Sequence, residues 1–415
     1  MKTSNNSEEY RYHTLGNGLR IVHCMHGGDV AYCGLAVKAG SANEDTSQFG
    51  LAHFVEHTLF KGTTHRKSYH IINRMERVGG ELNAYTSKEE TMIYSTFPAQ
   101  YYERAIELMS DLIANSIFPA DELEREREVV IDELQSYRDI PAEAVYDDFE
   151  DCFFAGTPLG HNILGNESSI SGLTSQDCTR FIKKWYVPEN MIFFSYGKLD
   201  FDLLCRYMEK HFGHLHYSLE RCDDDPVAGA VNPPFHKRES IDSHQSHTIY
   251  GAHVSSIYGS DRYTLALLNN ILGGPGMNSL LNVSLREKHG YVYTVESAIT
   301  HYMNDGLFSI YFGCDHQNVS KCLRLIGNTI ARLSDTLLSP SALAMAKRQY
   351  TGQLLVASDN KENVALAMGK SMLYHGSVQD SVTTYNRIME VTAEDIRRAS
   401  SLLIPDRASI LTFSE

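Results

Sequence analysis

The sequence predicts an α+β fold with two structurally similar domains from an internal duplication, each an antiparallel-rich sheet flanked by helices. Three observations support this prediction. Strand and helix patterns alternate but include antiparallel hairpins, short patterns recur in both halves, and a segment without apolar periodicity separates the halves. The chain has 415 residues, a length typical of two or three domains.

The first predicted element is a hairpin at residues 14–22, where Asn17-Gly18 forms the turn between two strands. A strand pattern at 32–40 precedes a helix that ends near Phe60. Further helices are predicted at 69–78, 99–116, 121–137 and 174–186, and further strands at 82–86, 91–97 and 191–196.

Two local patterns indicate the duplication. Leu173-Thr174-Ser175-Gln176-Asp177, which precedes a helix, a proline and a strand, recurs as Val391-Thr392-Ala393-Glu394-Asp395 before a strand at 409–413. Residues 51–57 also align with residues 265–271. The two copies are expected to begin equivalent helices.

Domain boundaries follow from the segment between the halves. It is acidic, contains three prolines and has little apolar periodicity. We predict an N-terminal domain at 1–217, a linker at 218–235 and a C-terminal domain at 236–415.

Composition excludes several classes of protein. The chain has 37 Lys and Arg against 52 Asp and Glu, a net charge of −15, which argues against nucleic-acid and anionic-membrane partners. Residues 1–9 lack the apolar core of a signal peptide, and no apolar run is long enough to span a membrane. The eight cysteines include no Cys-x-x-Cys pair, so we expect reduced thiols and a cytoplasmic location.

His53-Phe54-Val55-Glu56-His57 carries the chemistry. Residues four apart share a helix face, so His53 and His57 can offer two imidazoles to one Zn²⁺ ion. Glu56 lies close to that face and could take a proton from an activated water. The alternative is an amphipathic helix with two ordinary histidines, but its apolar flanks predict burial, where such groups need partners.

A third metal ligand is expected in the acidic helix at 122–134. Glu126 and Glu133 lie seven residues apart and therefore share a face. The residues alone do not choose between them, and most charges in this segment fit a solvated helix face equally well.

Residues 53–63 resemble the zinc helix of the pitrilysin/insulinase family (peptidase family M16), in particular its bacterial processing-peptidase-like subgroup (M16B). The resemblance implies a LuxS/metallohydrolase-like fold. It also implies one Zn²⁺ per chain, bound by His53, His57 and Glu133, with Glu126 supporting the site and Glu56 as general base.

Two further segments extend the resemblance. Residues 80–86 are similar to the family's edge strand, so Asn83, Ala84 and Tyr85 are implied to pair with an extended substrate, although an ordinary strand is the alternative. Residues 273–279 and 285–293 resemble the family's second-half loop and Arg/Tyr pair.

Arg286 and Tyr293 are thereby implied to stabilise the oxyanion near the scissile carbonyl. The alternative is a surface arginine and a core tyrosine. The second-half counterparts of the zinc-helix residues are Leu267, Asn270 and Ile271, which implies that only one half is active.

The resemblance implies a zinc metalloendopeptidase that binds peptides or unfolded segments in extended form within a closed chamber. We expect a homodimer, with a heterodimer with a related subunit as the alternative. A non-catalytic scaffold or partner subunit of a processing-peptidase-like complex is the rival function. A metal-binding module without hydrolysis is a third possibility.

Overall fold

The computed structural model describes residues 9–215 and 231–415. The strands are β1 (Tyr10–Thr14), β2 (Arg20–Met25), β3 (Val30–Val37), β4 (Glu81–Thr86), β5 (Thr91–Pro98), β6 (Met191–Gly197), β7 (His236–Ser240), β8 (Ser246–Val254), β9 (Val292–His301), β10 (Gly306–Cys314) and β11 (Ser409–Ser414). The helices are α1 (Leu51–Leu59), α2 (Ser68–Glu76), α3 (Tyr102–Asn115), α4 (Ala120–Arg138), α5 (Pro141–Phe153), α6 (Glu167–Gly172), α7 (Ser175–Trp185), α8 (Phe201–Phe212), α9 (Arg262–Gly273), α10 (Val319–Asp335), α11 (Pro340–Ala357), α12 (Lys361–His375), α13 (Ser381–Glu390) and α14 (Ala393–Ser400). None of these helices combines the length and the apolar character needed to cross a membrane.

The described residues form two compact units. The first comprises residues 9–134, 161–215 and 358–380, and the second comprises 135–160, 231–357 and 381–415. Most of the predicted linker at 218–235 lies outside the described residues, and 231–235 contains no helix or strand.

The first unit contains a six-stranded sheet in the order β1-β2-β6-β3-β5-β4. Strands β2 and β6 are parallel, and every other neighbouring pair is antiparallel. The predicted first hairpin is present as β1 and β2, with Gly18 at a φ of 92° in the turn.

The second unit contains a five-stranded sheet in the order β7-β11-β8-β10-β9. Its first two strands are parallel and the remaining pairs are antiparallel. This is the order and direction of β2-β6-β3-β5-β4 in the first unit. The predicted fold, two similar α+β domains with antiparallel-rich sheets, is therefore confirmed.

The repeated sequence pattern marks equivalent helix starts. Thr174 accepts a hydrogen bond from the backbone N–H of Asp177 before α7, and Thr392 accepts one from that of Asp395 before α14. Each aspartate in turn accepts from its threonine's backbone N–H at 2.9 Å. Both capping boxes fix where a helix begins.

Each sheet is covered by one helix from the other half of the chain. In the second unit α5 packs on β8 and β11, and Gly251 leaves room for the Phe149 ring. In the first unit α12 packs on β3 and β6, where Gly369 lies against Phe194. The predicted domains at 1–217 and 236–415 are contiguous, so they do not include this exchange of α5 and α12.

The start of α1 is held by a buried carboxylate. The Glu44 side chain is fully buried and accepts hydrogen bonds from the backbone N–H groups of Gly50 (2.8 Å) and Ala52 (2.7 Å). It also contacts Nε2 of His161 at 3.2 Å. Burial raises the pKa of Glu44, and these hydrogen bonds oppose the rise. Because the first N–H groups of a helix have no intrahelical partner, Glu44 fixes the position at which α1 begins.

Replacing Glu44 by alanine should therefore destabilise the first unit. The change leaves the backbone N–H groups of Gly50 and Ala52 without their acceptor and leaves the His161 imidazole only the Ser41 carbonyl oxygen. The expected cost is about 2–4 kcal/mol in the free energy of unfolding. Urea denaturation followed by circular dichroism measures the loss. Glu124→Ala removes an exposed carboxylate from α4 and should change the midpoint little. An unchanged midpoint for Glu44→Ala would contradict the proposed capping role.

Candidate metal centre

Helix α1 packs its apolar residues into the core of the first unit. Leu51, Ala52, Phe54, Val55 and Leu59 are buried and fix the helix against the sheet and its neighbouring helices. The residue that precedes the helix as its N-cap is Gly50, whose φ of 92° and close approach to the carbonyl oxygen of Leu164 exclude a side chain. The apolar packing therefore determines where the polar side chains of α1 point.

His53, His57 and Glu133 come together between α1 and α4. Their ligand atoms lie within 4.8 Å of one another. His57 Nε2 is 3.3 Å, and His53 Nε2 3.8 Å, from Oε2 of Glu133. Ligands about 2.0–2.2 Å from a tetrahedral zinc ion are separated by about 3.4 Å, so the three residues fit such an ion with little adjustment. Within residues 9–215 and 231–415, no other group of His, Cys, Asp and Glu is placed to hold a metal.

The burial of His53 favours the form that binds metals. Its residue is 8% exposed, and this burial, aided by the nearby His57, lowers the pKa of the imidazole to about 3. A neutral imidazole has a lone pair for a cation and needs no deprotonation before binding. His53 is thus prepared as a ligand by its packing.

Glu126 orients His57 from the side away from Glu133. His57 Nδ1 donates to Oε1 of Glu126 at 3.1 Å, and Lys61 Nζ lies 2.5 Å from Oε2 of the same carboxylate. Burial alone would lower the pKa of His57, but this hydrogen bond and the carboxylates of Glu56 and Glu133 raise it. Burial opposes ionisation of Glu126, yet His57 and Lys61 hold its pKa below the ordinary value.

This carboxylate–histidine pair leaves Nε2 of His57 free to face Glu133. Lys61 is not among the residues predicted for the site, although its position four residues after His57 matches the helical spacing.

Glu56 is held beside the metal-binding group by the end of the edge strand. Thr86, the last residue of β4, donates its hydroxyl to Oε2 of Glu56 at 2.9 Å. Burial raises the pKa of Glu56; the Thr86 hydrogen bond and His57 lower it, and the charge of Glu133 raises it further. A half-buried carboxylate with a raised pKa is suited to accept a proton. Like Lys61, Thr86 is not among the residues predicted for the site.

The predicted substrate strand lies at a sheet edge. Among the described residues β4 pairs only with β5, so one side of the strand containing Asn83, Ala84 and Tyr85 has no neighbouring strand. Asn83 is exposed, whereas Ala84 packs against the core. The edge position agrees with the sequence analysis, and pairing with a peptide stays a prediction.

Arg286 and Tyr293 belong to the second unit. Arg286 is exposed within a π-helical turn at Asn282–Glu287. Tyr293, 58% exposed near the start of β9, donates its hydroxyl to Oδ1 of Asp315 at 3.1 Å. That hydrogen bond and the charge of Asp315 raise the pKa of the phenol. Neither side chain is a core residue, and their role at the oxyanion stays a prediction.

Several curated proteins are similar to this chain over most of their length. An uncharacterized zinc protease of Mycobacterium tuberculosis is 30% identical over 95% of this chain and 90% of its own. The uncharacterized zinc protease YmxG of Bacillus subtilis is 28% identical over 94% of both chains. A probable mitochondrial-processing peptidase subunit beta of Schizosaccharomyces pombe is 30% identical over 95% of this chain and 88% of its own.

Solved structures share the fold. A protease from Helicobacter pylori matches 98% of this chain and 100% of its own with a TM-score of 0.90 at 20% identity. A peptidase M16 inactive domain from Pseudomonas fluorescens matches 98% of both chains, also with a TM-score of 0.90, at 19% identity. At these identities the likeness concerns the fold alone.

Family profiles match both halves of the sequence. Residues 21–167 match the insulinase family (peptidase family M16), and residues 172–350 match the peptidase M16 inactive domain. The resemblance of the zinc-helix segment to this family is thereby confirmed. Because both profiles and the relatives along nearly the whole chain agree, this protein belongs to peptidase family M16.

Proposed function

We propose that this protein is a zinc-dependent metalloendopeptidase that hydrolyses peptides or unfolded segments bound in extended form. The convergence of His53, His57 and Glu133 beside Glu56 carries the proposal. Relatives along most of the chain are named zinc proteases, which supports the same metal and the same class of reaction.

The proposed site would hold one zinc ion per chain through the imidazoles of His53 and His57 and the Glu133 carboxylate. Two imidazoles and one carboxylate are a common donor set of catalytic zinc, and they leave a fourth position open. When bound, zinc supplies a positive charge that acidifies a water molecule and polarises the scissile carbonyl.

Glu56 is the proposed general base in the motif His-x-x-Glu-His. Its carboxylate would accept the proton of the attacking water and later deliver it to the leaving amine. The hydroxyl of Thr86 holds one carboxylate oxygen in place, and burial raises the proton affinity of the group. Glu126 acts as a positioning residue, because it keeps the Nδ1–H of His57 directed away from the metal.

The edge strand gives the substrate its proposed shape. An extended peptide could add to the free side of β4 through main-chain hydrogen bonds, with alternate side chains entering pockets. The Thr86–Glu56 hydrogen bond joins the end of this strand to the base, so a peptide on β4 would run towards the metal. Arg286 and Tyr293 stay the predicted oxyanion-stabilising pair.

Assembly and location are proposed on the same basis. We expect a homodimer, since one chain carries both the zinc helix and the Arg/Tyr pair, with a heterodimer with a related subunit as the alternative. The closed chamber stays a prediction. A cytoplasmic location is supported by the seven cysteines of the described residues, all of which are free thiols.

The rival function, a non-catalytic partner subunit, would not require a base. Here the three proposed ligands form one group, and Glu56 interacts electrostatically with two of them, His57 and Glu133. The profile that matches residues 172–350 bears the name of an inactive domain, which supports one catalytic domain per chain.

Glu56→Gln should retain zinc and lose peptide hydrolysis. The amide keeps the size of the side chain but cannot accept the proton, so kcat should fall by about 10²–10⁴-fold. Activity on a mixed peptide library and zinc content by elemental analysis measure the two effects. Glu128→Gln, an exposed change on α4, is the matched control and should retain activity. A zinc-loaded wild type that cleaves no peptide would overturn the proposal.

Zinc affinity should distinguish the two glutamates of α4. Glu133→Gln removes a ligand and should weaken binding by more than about 100-fold, whereas Glu126→Gln removes a supporting hydrogen bond and should cost about 10–100-fold. Competition with a chromogenic chelator measures both affinities. A larger loss for Glu126→Gln than for Glu133→Gln would reverse their assigned roles.

Extended substrates should be cleaved in preference to folded ones. A disulfide-stabilised domain should resist hydrolysis while native and become a substrate after reduction, because only the unfolded chain can add to a sheet edge. Mass spectrometry of the products measures both rates. Equal cleavage of the native and the reduced form would contradict binding at the edge strand.

A further inference from the structure

A basic pocket lies in the first unit, and the proposed peptidase site uses none of its residues. Its volume is about 340 Å³, within the range of pockets that bind small molecules. The charged and imidazole side chains that line it are His65, Arg66, His70, Arg74, Arg77 and Arg104.

Three separate segments bring these side chains together. His70, Arg74 and Arg77 follow the helical spacing of four and then three residues, so they share one face of α2 and its C-terminal cap. Arg104 of α3 donates from Nη1 to the backbone carbonyl of Arg74 at 3.0 Å. Arg66 comes from the segment before α2.

Two carboxylates pair with side chains of this pocket and neutralise only part of its charge. Arg66 pairs with Glu107 and Asp111, each at 2.5 Å, and Arg74 pairs with Glu107 at 3.0 Å. His65 also contacts Asp111 at 2.6 Å. Two of the four guanidinium groups therefore pair with these two carboxylates.

Arg77 and Arg104 form no ion pair within residues 9–215 and 231–415. Arg77 lies over the Tyr69 ring at 5.8 Å and donates to its hydroxyl at 3.3 Å. Arg104 lies over the Tyr101 ring, also at 5.8 Å. Such stacking holds a guanidinium group in place while leaving most of its N–H donors available.

A simpler explanation accounts for part of the cluster. Cations are favoured near the C-terminal end of a helix, where Arg74 and Arg77 lie, and the carbonyl groups of that end weaken the field at the pocket. It does not account for Arg104 on a different helix or for Arg66. An excess of two positive charges in one cavity is also unexpected for a chain with a net charge of −15.

We propose that this pocket binds the phosphate groups of a small polyanion, with Arg77 and Arg104 as the main donors. Planar guanidinium groups match phosphate oxygens with two parallel hydrogen bonds, and several phosphates in a row fit the size of the cavity. An inorganic polyphosphate and a nucleoside polyphosphate share this chemistry.

The test is titration of the full chain, zinc-loaded and metal-free, with sodium tripolyphosphate by calorimetry. We expect saturable binding of one ligand per chain in both forms. Arg77→Gln/Arg104→Gln should raise Kd by at least about tenfold. The control Arg387→Gln/Arg397→Gln removes two exposed charges from the second unit and should change Kd by less than about twofold.

Adenosine triphosphate distinguishes the two sources of phosphate. Tighter binding than tripolyphosphate, weakened by Tyr69→Ala more than tripolyphosphate binding is, would support a nucleotide, and equal binding would support a free polyphosphate. If the double variant does not fold, Arg77→Gln alone serves, because Arg77 is exposed. The proposal fails if wild type shows no saturable binding, if the variant binds as wild type does, if binding requires zinc, or if only a glutamate-rich peptide binds.

Discussion

The mutual repulsion of carboxylates between α1 and α4 is the constraint on which the proposed site depends. Glu56, Glu126 and Glu133 gather around two imidazoles, and Lys61 pairs with Glu126. With neutral imidazoles and ionised carboxylates, the formal charge of this group is −2. A divalent cation would bring it to zero, whereas without one the half-buried carboxylates repel each other and shift their neighbours' pKa values. The pKa of Glu56 is raised first by burial and then by the charge of Glu133, whereas the surrounding carboxylates raise the pKa of His57 against its burial.

Rigid elements rather than loops set the geometry of this group. The buried apolar residues of α1 lock the helix, and Glu44 fixes its first turn through two backbone N–H groups. Thr86, the last residue of strand β4, holds the Glu56 carboxylate by a hydrogen bond. A site supported in this way can keep ligand atoms near their working separation before the metal arrives.

Much of this arrangement follows from local pattern, and the remainder depends on contacts distant in sequence. Helical spacing places His53 beside His57 and Glu126 on one face with Glu133, but spacing cannot tell which glutamate lies nearer the imidazoles. The exchange of α5 and α12 between the units was not predictable, since the fit of a ring to a glycine such as Gly251 has no local signature. The basic pocket could not be predicted from the sequence either, because each of its arginines resembles an ordinary solvated residue.

The second unit shows that the same fold forms without the metal-binding residues. It repeats the strand order of the first unit, and α9 packs on its edge strand β9 as α1 packs on β4. On α9 the positions aligned with His53 and Glu56 are Leu267 and Asn270, both buried. The fold is thus compatible with an apolar helix face at this place. Placing two imidazoles and a carboxylate in the partly buried face of α1 costs stability that packing does not demand, and the proposed metal binding and chemistry would account for their presence.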